Sequence, residues 1–317
     1  MIQKNKNALS KLQKKKPSKV LKKKIILWAA GLLAPYLAVL ILLLLVLLPG
    51  GGSGSASQTV VKALDIPYEK LNQAEAQARQ NNISFPLILY YWLQEMNGEN
   101  EAQALAVAVA KAKAAVDMDR EDRELYDLFV KAYGDLKAGP IPAGTETVYK
   151  KESEDKKSYE VTSTSWSPYT YTSSNDFGDA RGYGDVTNHE GNDLMAAKGV
   201  PIVSITDGKV IKNGWNEYGG YRVGVESEHG TYFYYAHMVS PGIVPEGSRV
   251  VAGQIIGYVG DSGQGPEGST GQFPPHLHLQ IGLKVEDNLD YLWINPYNIV
   301  KYLDTKRVTF REEVIEN

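Results

Sequence analysis

Thr270-Gly-Gln-Phe-Pro-Pro-His276-Leu-His278-Leu-Gln-Ile281 is the stretch that decides how the C-terminal half of this 317-residue chain folds. From His276 to Ile281 it alternates between polar and apolar side chains, the period of a half-buried β-strand. Residues i and i+2 of a strand leave the sheet on one face, so the two imidazoles project together. A pair held that way suits two metal ligands, or one ligand beside one catalytic base. Working back along the chain, Pro201–Ile205, Lys209–Ile211, Tyr221–Val225, Thr231–Tyr235 and Gln254–Val259 are further short alternating or apolar segments, separated by Gly, Asp and Asn. Strands of this length with tight turns predict an antiparallel β domain over residues 173–304. Asp207-Gly208 reads as a hairpin turn within it.

All five histidines of the protein fall between positions 189 and 278. Besides His276 and His278 there are His189, four residues before Asp193 with Gly191 between, and His237 in Tyr235-Ala-His237. His229 sits in the turn-like Ser227-Glu-His-Gly and reads as structural. The stretch from His189 to Asp193 does not read as helix, and a loop folding back brings both side chains to one ion. The chain has no cysteine, which removes disulfides and thiolate ligands and leaves His, Asp and Glu for any metal. Zinc takes imidazole and carboxylate readily, and in hydrolytic sites it keeps three protein ligands with the fourth position open. Glu190 and Asn192 lie inside the ligand loop and are assigned no role of their own.

Upstream, the composition is helical over residues 61–138. Leu71, Ala74 and Ala78 follow Ile66-Pro67 at helical spacing, a second helix starts near Phe85-Pro86, Ala102–Val116 is alanine-rich, and Leu125, Leu128, Phe129 and Ala132 mark one face of a fourth helix. A small all-α bundle results. Its Glu95 invites comparison with a muramidase acid, but a single glutamate on a helix is better read as a solvated face. Residues 139–172, rich in Ser, Thr, Lys, Glu and Tyr, read as a linker or extended arm, and 305–317 as a C-terminal tail.

The N-terminus has the opposite electrostatics. Residues 1–24 hold ten lysines and no acid; removing those ten from the 34 bases leaves 24 against 37 acids, a formal net of −13 for the remainder. Residues 25–48 carry no formal charge, and 24 residues exceed the roughly 20 that a helix needs to cross the hydrocarbon core. This predicts a single transmembrane helix with residues 1–24 as a basic cytoplasmic arm, 49–60 as a flexible Gly/Ser linker, and everything beyond it outside the cytoplasmic membrane. The competing reading is a signal peptide cleaved near Ser55-Ala56-Ser57, but its apolar stretch would be much longer than the usual 7–15 residues. No aromatic residue lies among the lysines of the arm, so nucleic acid is not an expected partner. The fold class is therefore α+β overall: one transmembrane helix, an all-α bundle and a mainly antiparallel β domain.

The segment from about Asp176 to Leu283 resembles the lysostaphin-type zinc endopeptidases, which cleave peptides of bacterial peptidoglycan. The resemblance runs through His189–Asp193, Pro201-Ile-Val-Ser-Ile-Thr-Asp-Gly208, Tyr235-Ala-His237, Val250–Gly263 and Thr270-Gly271…Pro275-His276-Leu-His278, in the family order and over about a third of the chain. Two departures are visible: Ser262 to Pro275 is longer than usual, and Leu279 follows His278 where an aromatic is common. The resemblance implies one Zn2+ per chain held by His189, Asp193 and His278. It leaves His276 as general base and His237 to assist the oxyanion or fix the water. It also implies peptidoglycan as substrate, with the helical bundle free to dock a protein partner. A catalytically silent scaffold is the alternative, and it would require a lost ligand. The topology carries its own test: a reporter fused after Ser57 should be active only outside the membrane, and one active only in the cytoplasm would overturn the orientation.

Overall fold

The computed structural model describes residues 60–316, apart from 97–99, 115–117, 155, 184–185 and 285–290. The basic arm, the expected transmembrane helix 25–48 and the linker as far as residue 59 lie outside the described residues. Among the described residues no helix is long and apolar enough to cross a membrane.

Four helices form the expected bundle: α1 Tyr68–Asn81, α2 Phe85–Glu95, α3 Glu101–Lys113 and α4 Arg120–Tyr133. Their ends follow from local chemistry. The carbonyl of Pro67 accepts the N–H groups of Lys70 and Leu71 as α1 starts. Asn82, left-handed at φ 53°, ends α1. The side chains of Asn100 and Asp119 cap α3 and α4 by accepting the N–H of Gln103 and of Asp122. Leu71, Ala74 and Ala78 from α1, Ile88 and Leu89 from α2, and Leu125, Phe129 and Ala132 from α4 are buried. Glu95 pairs with Lys111 of α3, a bland role.

The other half is built on an eight-stranded sheet. Its strands are β3 (Tyr171–Thr172), β6 (Asn192–Ala196), β8 (Gly208–Asn216), β9 (Gly220–Ser227), β10 (Thr231–Met238), β11 (Arg249–Val250), β13 (His276–Leu283) and β14 (Leu292–Ile294). They run in the order β11-β8-β9-β10-β13-β6-β3, with β14 also paired to β13, and every pairing is antiparallel. Phe233, Tyr235, Leu277, Leu279 and Ile281 are fully buried on one face. The Tyr235 hydroxyl there accepts the N–H of Ile205 at 2.9 Å. The even-numbered His276, His278 and Gln280 take the opposite face and line a groove. A short helix, α5 (Tyr297–Leu303), closes the core with Ile299, Val300, Tyr302 and Leu303.

Three expectations change. Residues 139–172 are not a linker. Gly144–Glu152 (β1) and Tyr159–Pro168 (β2) pair as an antiparallel hairpin. Nor is 305–317 a tail, because Thr309–Glu316 (β15) joins β1 in parallel, Gly144 opposite Thr309. Both segments look loop-like in sequence because this small sheet is solvated; every residue of β2 is exposed, so no apolar alternation marks it. Asp207-Gly208 is not a hairpin turn either. Pro201–Val203 (β7) pairs with Ile255–Tyr258 (β12), not with β8, and the Asp207 carboxylate instead accepts the N–H of Ala252 and pairs with Lys137. The chain changes sheets at this point.

The bundle packs onto the β half through specific contacts. Phe85 stacks on Tyr302 with centroids 5.6 Å apart. Thr231 donates to the carbonyl of Lys131, and Asn298 to Asp65. His229 does turn out structural: its Nδ1 lies 2.8 Å from Asp135 Oδ1, and its backbone N–H donates to Oδ2 of the same carboxylate. Two outcomes check this architecture. Deleting residues 309–317 should remove hydrogen-exchange protection from the β1 amides that face β15, while sparing those bonded to β2 and the strands β9, β10 and β13. Tyr235→Phe leaves the buried Ile205 N–H unpaired and should cost about 1–3 kcal/mol in denaturant unfolding.

Candidate metal centre

Strand register brings the first two groups together. His278 of β13 lies directly opposite Asp193 of β6, and His276 opposite Met195. Directly opposed residues hold their Cβ atoms about 4.5–5.5 Å apart, so Asp193 and His278 meet by backbone pairing alone. Gly191 allows it, since a Cβ there would come within 2.7 Å of the His278 ring and 2.6 Å of the Leu279 carbonyl oxygen. His189, on the loop before β6, completes a triangle. Its Nε2 is 3.1 Å from Asp193 Oδ1 and 2.9 Å from His278 Nδ1, which is itself 2.9 Å from Asp193 Oδ1.

A second ring of residues fixes the protons. His189 Nδ1 is 2.9 Å from the Asp176 carbonyl oxygen and 2.8 Å from Arg181 Nη2. The two Nη2 hydrogens already have Asp193 Oδ2 at 2.9 Å and Asp176 Oδ2 at 3.3 Å. A carbonyl only accepts, so Nδ1 carries the hydrogen and Nε2 presents its lone pair to the triangle. Burial opposes charge on His189, but Asp193 and then Asp176 outweigh it and hold its pKa above the ordinary histidine value. Burial likewise works against the Asp193 carboxylate, yet the adjoining His189 and His278 rings keep it far below the carboxylate range. Two imidazole nitrogens and one carboxylate oxygen, crowded within hydrogen-bond distance with too few protons to share, form a donor set that fits zinc. Among the described residues these three are the group able to hold a metal ion.

The remaining two histidines face the same groove by different means. His276 is 7% exposed; its Nδ1 donates to the Pro274 carbonyl at 2.8 Å, and its Nε2 sits 3.6 Å from Asp193 Oδ1. His237 arrives there only through an irregularity. Simple alternation along β10 would put it on the buried face with Tyr235. The β9–β10 register breaks between Tyr235 and Met238, and His237 adopts φ 61°. A bulge with one left-handed residue thus re-aims the ring, at a cost of about 1–2 kcal/mol. His237 Nδ1 then donates to the Ser262 carbonyl at 2.8 Å, and the ring lies 4.6 Å from His276 and 5.7 Å from His278, centroid to centroid. Burial first, then the neighbouring His278 and His276, push its pKa down to about 3, so it is neutral at neutral pH. Its Nε2 is therefore unprotonated, and in both rings Nδ1 is the nitrogen tied to a backbone carbonyl.

All five residues singled out from sequence (His189, Asp193, His237, His276, His278) line one groove of about 350 Å3, together with Glu190, Tyr234 and Phe273. His229 stays away from it. Asn192 is buried and donates to Asp176 Oδ1 at 2.6 Å. Asp176 and Arg181 escaped sequence reading, because neither forms a spaced motif with a ligand; only the fold brings them against His189 and Asp193.

Comparison with known proteins agrees with this geometry. Residues 187–290 match the model of peptidase family M23. L-Ala–D-Glu endopeptidase from Bacillus subtilis (strain 168) is 47% identical over 132 residues, 41% of this chain and 39% of that protein. Lysostaphin from Staphylococcus simulans is 37% identical over 93 residues, 29% of this chain and 17% of lysostaphin. The similarity thus spans less than half the length of either relative. Among solved structures, a candidate glycyl-glycine endopeptidase, lytM, from Ruminococcus gnavus superimposes with a TM-score of 0.55 at 28% identity, covering 71% of this chain and 84% of that one. The triangle and the flanking histidines all lie within residues 187–290, the stretch that is similar to peptidase family M23.

Proposed function

We propose that this protein is a zinc-dependent endopeptidase that hydrolyses peptide bonds of peptidoglycan. Residues 25–48 would hold it in the cytoplasmic membrane with the β half facing the wall. The observation that carries the activity is the triangle of His189, Asp193 and His278 with two further histidines, His237 and His276, lining the same groove with Nδ1 tied to backbone carbonyls. A silent scaffold would lack one of these groups, and none is lacking.

When bound by His189 Nε2, Asp193 Oδ1 and His278 Nδ1, zinc supplies the positive charge that makes water acidic near neutrality and stabilises a developing oxyanion. The protein's own groups handle the proton. His276 Nε2 accepts it from the attacking water and passes it to the leaving amine. The imidazolium formed in between is stabilised by the Asp193 carboxylate 3.6 Å away. His237 has its one hydrogen committed to Ser262, so while neutral it cannot donate to an oxyanion. Its geometry supports holding the water as an acceptor. Arg181 and Asp176 keep Asp193 and His189 oriented.

Three measurements on the full chain test this reading. Metal analysis should find zinc in the wild type and in His276→Ala and His237→Ala, but not in His278→Ala or Asp193→Ala. Release of peptides from purified peptidoglycan should fall about 10²–10⁴-fold in His276→Ala and His237→Ala, with no new reducing sugar ends in the wild-type digest. A zinc-loaded wild type that frees no peptide from walls of several cross-link types would overturn the assignment. Gly191→Ala, which presses on the His278 ring, should lose zinc affinity while retaining the fold.

A further inference from the structure

Beyond the metal triangle, the same face of β13 runs on through Gln280 to Gly282, about 13 Å past His278 at strand rise. Gly282 has no side chain, and the space is taken by two aromatics. A Cβ built there would lie 2.8 Å from the Trp293 ring and 2.8 Å from Tyr291 Cβ. Trp293 pairs with Gly282 through β14. Tyr291 lies against Tyr232 with centroids 4.7 Å apart and planes 18° from parallel, and Trp293 is tilted against Tyr291 at 5.5 Å. Tyr232, in turn, is the β10 residue opposite Gly282. Three rings therefore form one cluster on the face that carries His276 and His278.

Tyr291 and Trp293 of this cluster line one side of a cleft of about 730 Å3. Lys62, Asp65, Asn175 and Asn188 line it along with Tyr291 and Trp293. Another of its walls is the segment Asn188–Glu190, which is also a wall of the metal groove, so the two depressions are neighbours across the His189 loop. Asn175 and Asn188 are exposed at its rim, and Asn295 is anchored beneath by Asp65 Oδ2 and Asn175 Oδ1 at 3.1 Å each.

Aromatic faces edged by amide and carboxylate groups match the two sides of a pyranose. The C–H face packs on rings, while hydroxyl and N-acetyl groups exchange hydrogen bonds with Asn and Asp. We propose that this cleft is a glycan subsite that binds the N-acetylated saccharide carrying the peptide substrate. The inference rests on the peptidoglycan reading above and deepens it. It also restricts the bond. An extended peptide covers at most about 3.3–3.6 Å per residue, so with the sugar seated on the Tyr291–Trp293 platform, about 13 Å along β13 from His278, at least about four residues must separate it from a bond at the metal site. The subsite thus disfavours the bonds next to the sugar.

The test compares two substrates and one ligand on the full chain. The substrates are a peptidoglycan tetrasaccharide bearing its stem peptides and the same stem peptide free of sugar; the ligand is the peptide-free tetrasaccharide. Tyr291→Ala should lower kcat/KM on the sugar-bearing substrate about ten-fold, equivalent to about 1.4 kcal/mol, and leave the sugar-free peptide unchanged. Trp293→Phe, which keeps a ring in place, should show a smaller loss of the same selectivity. The tetrasaccharide should quench tryptophan fluorescence saturably in the wild type, with or without zinc, and not in Tyr291→Ala. Equal losses on both substrates would overturn the proposal in favour of a peptide-binding cleft, and absence of saccharide binding would overturn it outright. Saccharide binding without cleavage of either substrate would sustain the subsite and defeat the peptidase reading instead.

Discussion

Asp193 and His278 face each other because β6 and β13 pair in one register, and the chemistry of the protein hangs on that register. A slip of β6 by a single residue would send Asp193 to the buried face and put Leu194 in the groove, and a slip of β13 would do the same to His278 with Leu277 or Leu279. The fully buried leucines are what prevent it: their place in the core is worth several kcal/mol in total, at about 1.5–3 kcal/mol per buried side chain. The candidate metal centre is therefore specified by apolar residues that never touch it. His189 then needs only a short loop to reach the pair, and Asp176 and Arg181 set its ring and the far oxygen of Asp193.

Much of this was legible before any coordinates. The i, i+2 spacing of His276 and His278 predicts a common face, and both line the groove. The four-residue gap from His189 to Asp193 predicts a shared ion, and their atoms lie 3.1 Å apart. The helical stripe of Leu125, Phe129 and Ala132 predicts a buried face and delivers one. These signals are visible because burial writes a periodic pattern into sequence.

The failures have the opposite cause. β1, β2 and β15 bury little, so their residues carry no apolar period, and a parallel pairing between positions 144 and 309 leaves no local mark. His237 is a subtler case. Its arrival in the groove follows from family resemblance but contradicts simple alternation, and only the bulge at Ala236–His237 reconciles the two. Asp176 and Arg181 are tied to the ligands through space alone.

The parallel pairing of β1 with β15 also governs the order in which the molecule can be finished. Gly144 meets Thr309, a sequence separation far larger than that of any hairpin in the sheet, so this contact must wait until β15 has been synthesised and a long loop has closed. The hairpins β8–β9 and β9–β10 involve near neighbours and can form while the chain is still emerging. Until β15 arrives, β1 has an open edge along its whole length, the kind of strand that recruits other chains. The nascent protein is thus most exposed to misassembly after the hairpins of its large sheet have folded, in the interval before β15 docks.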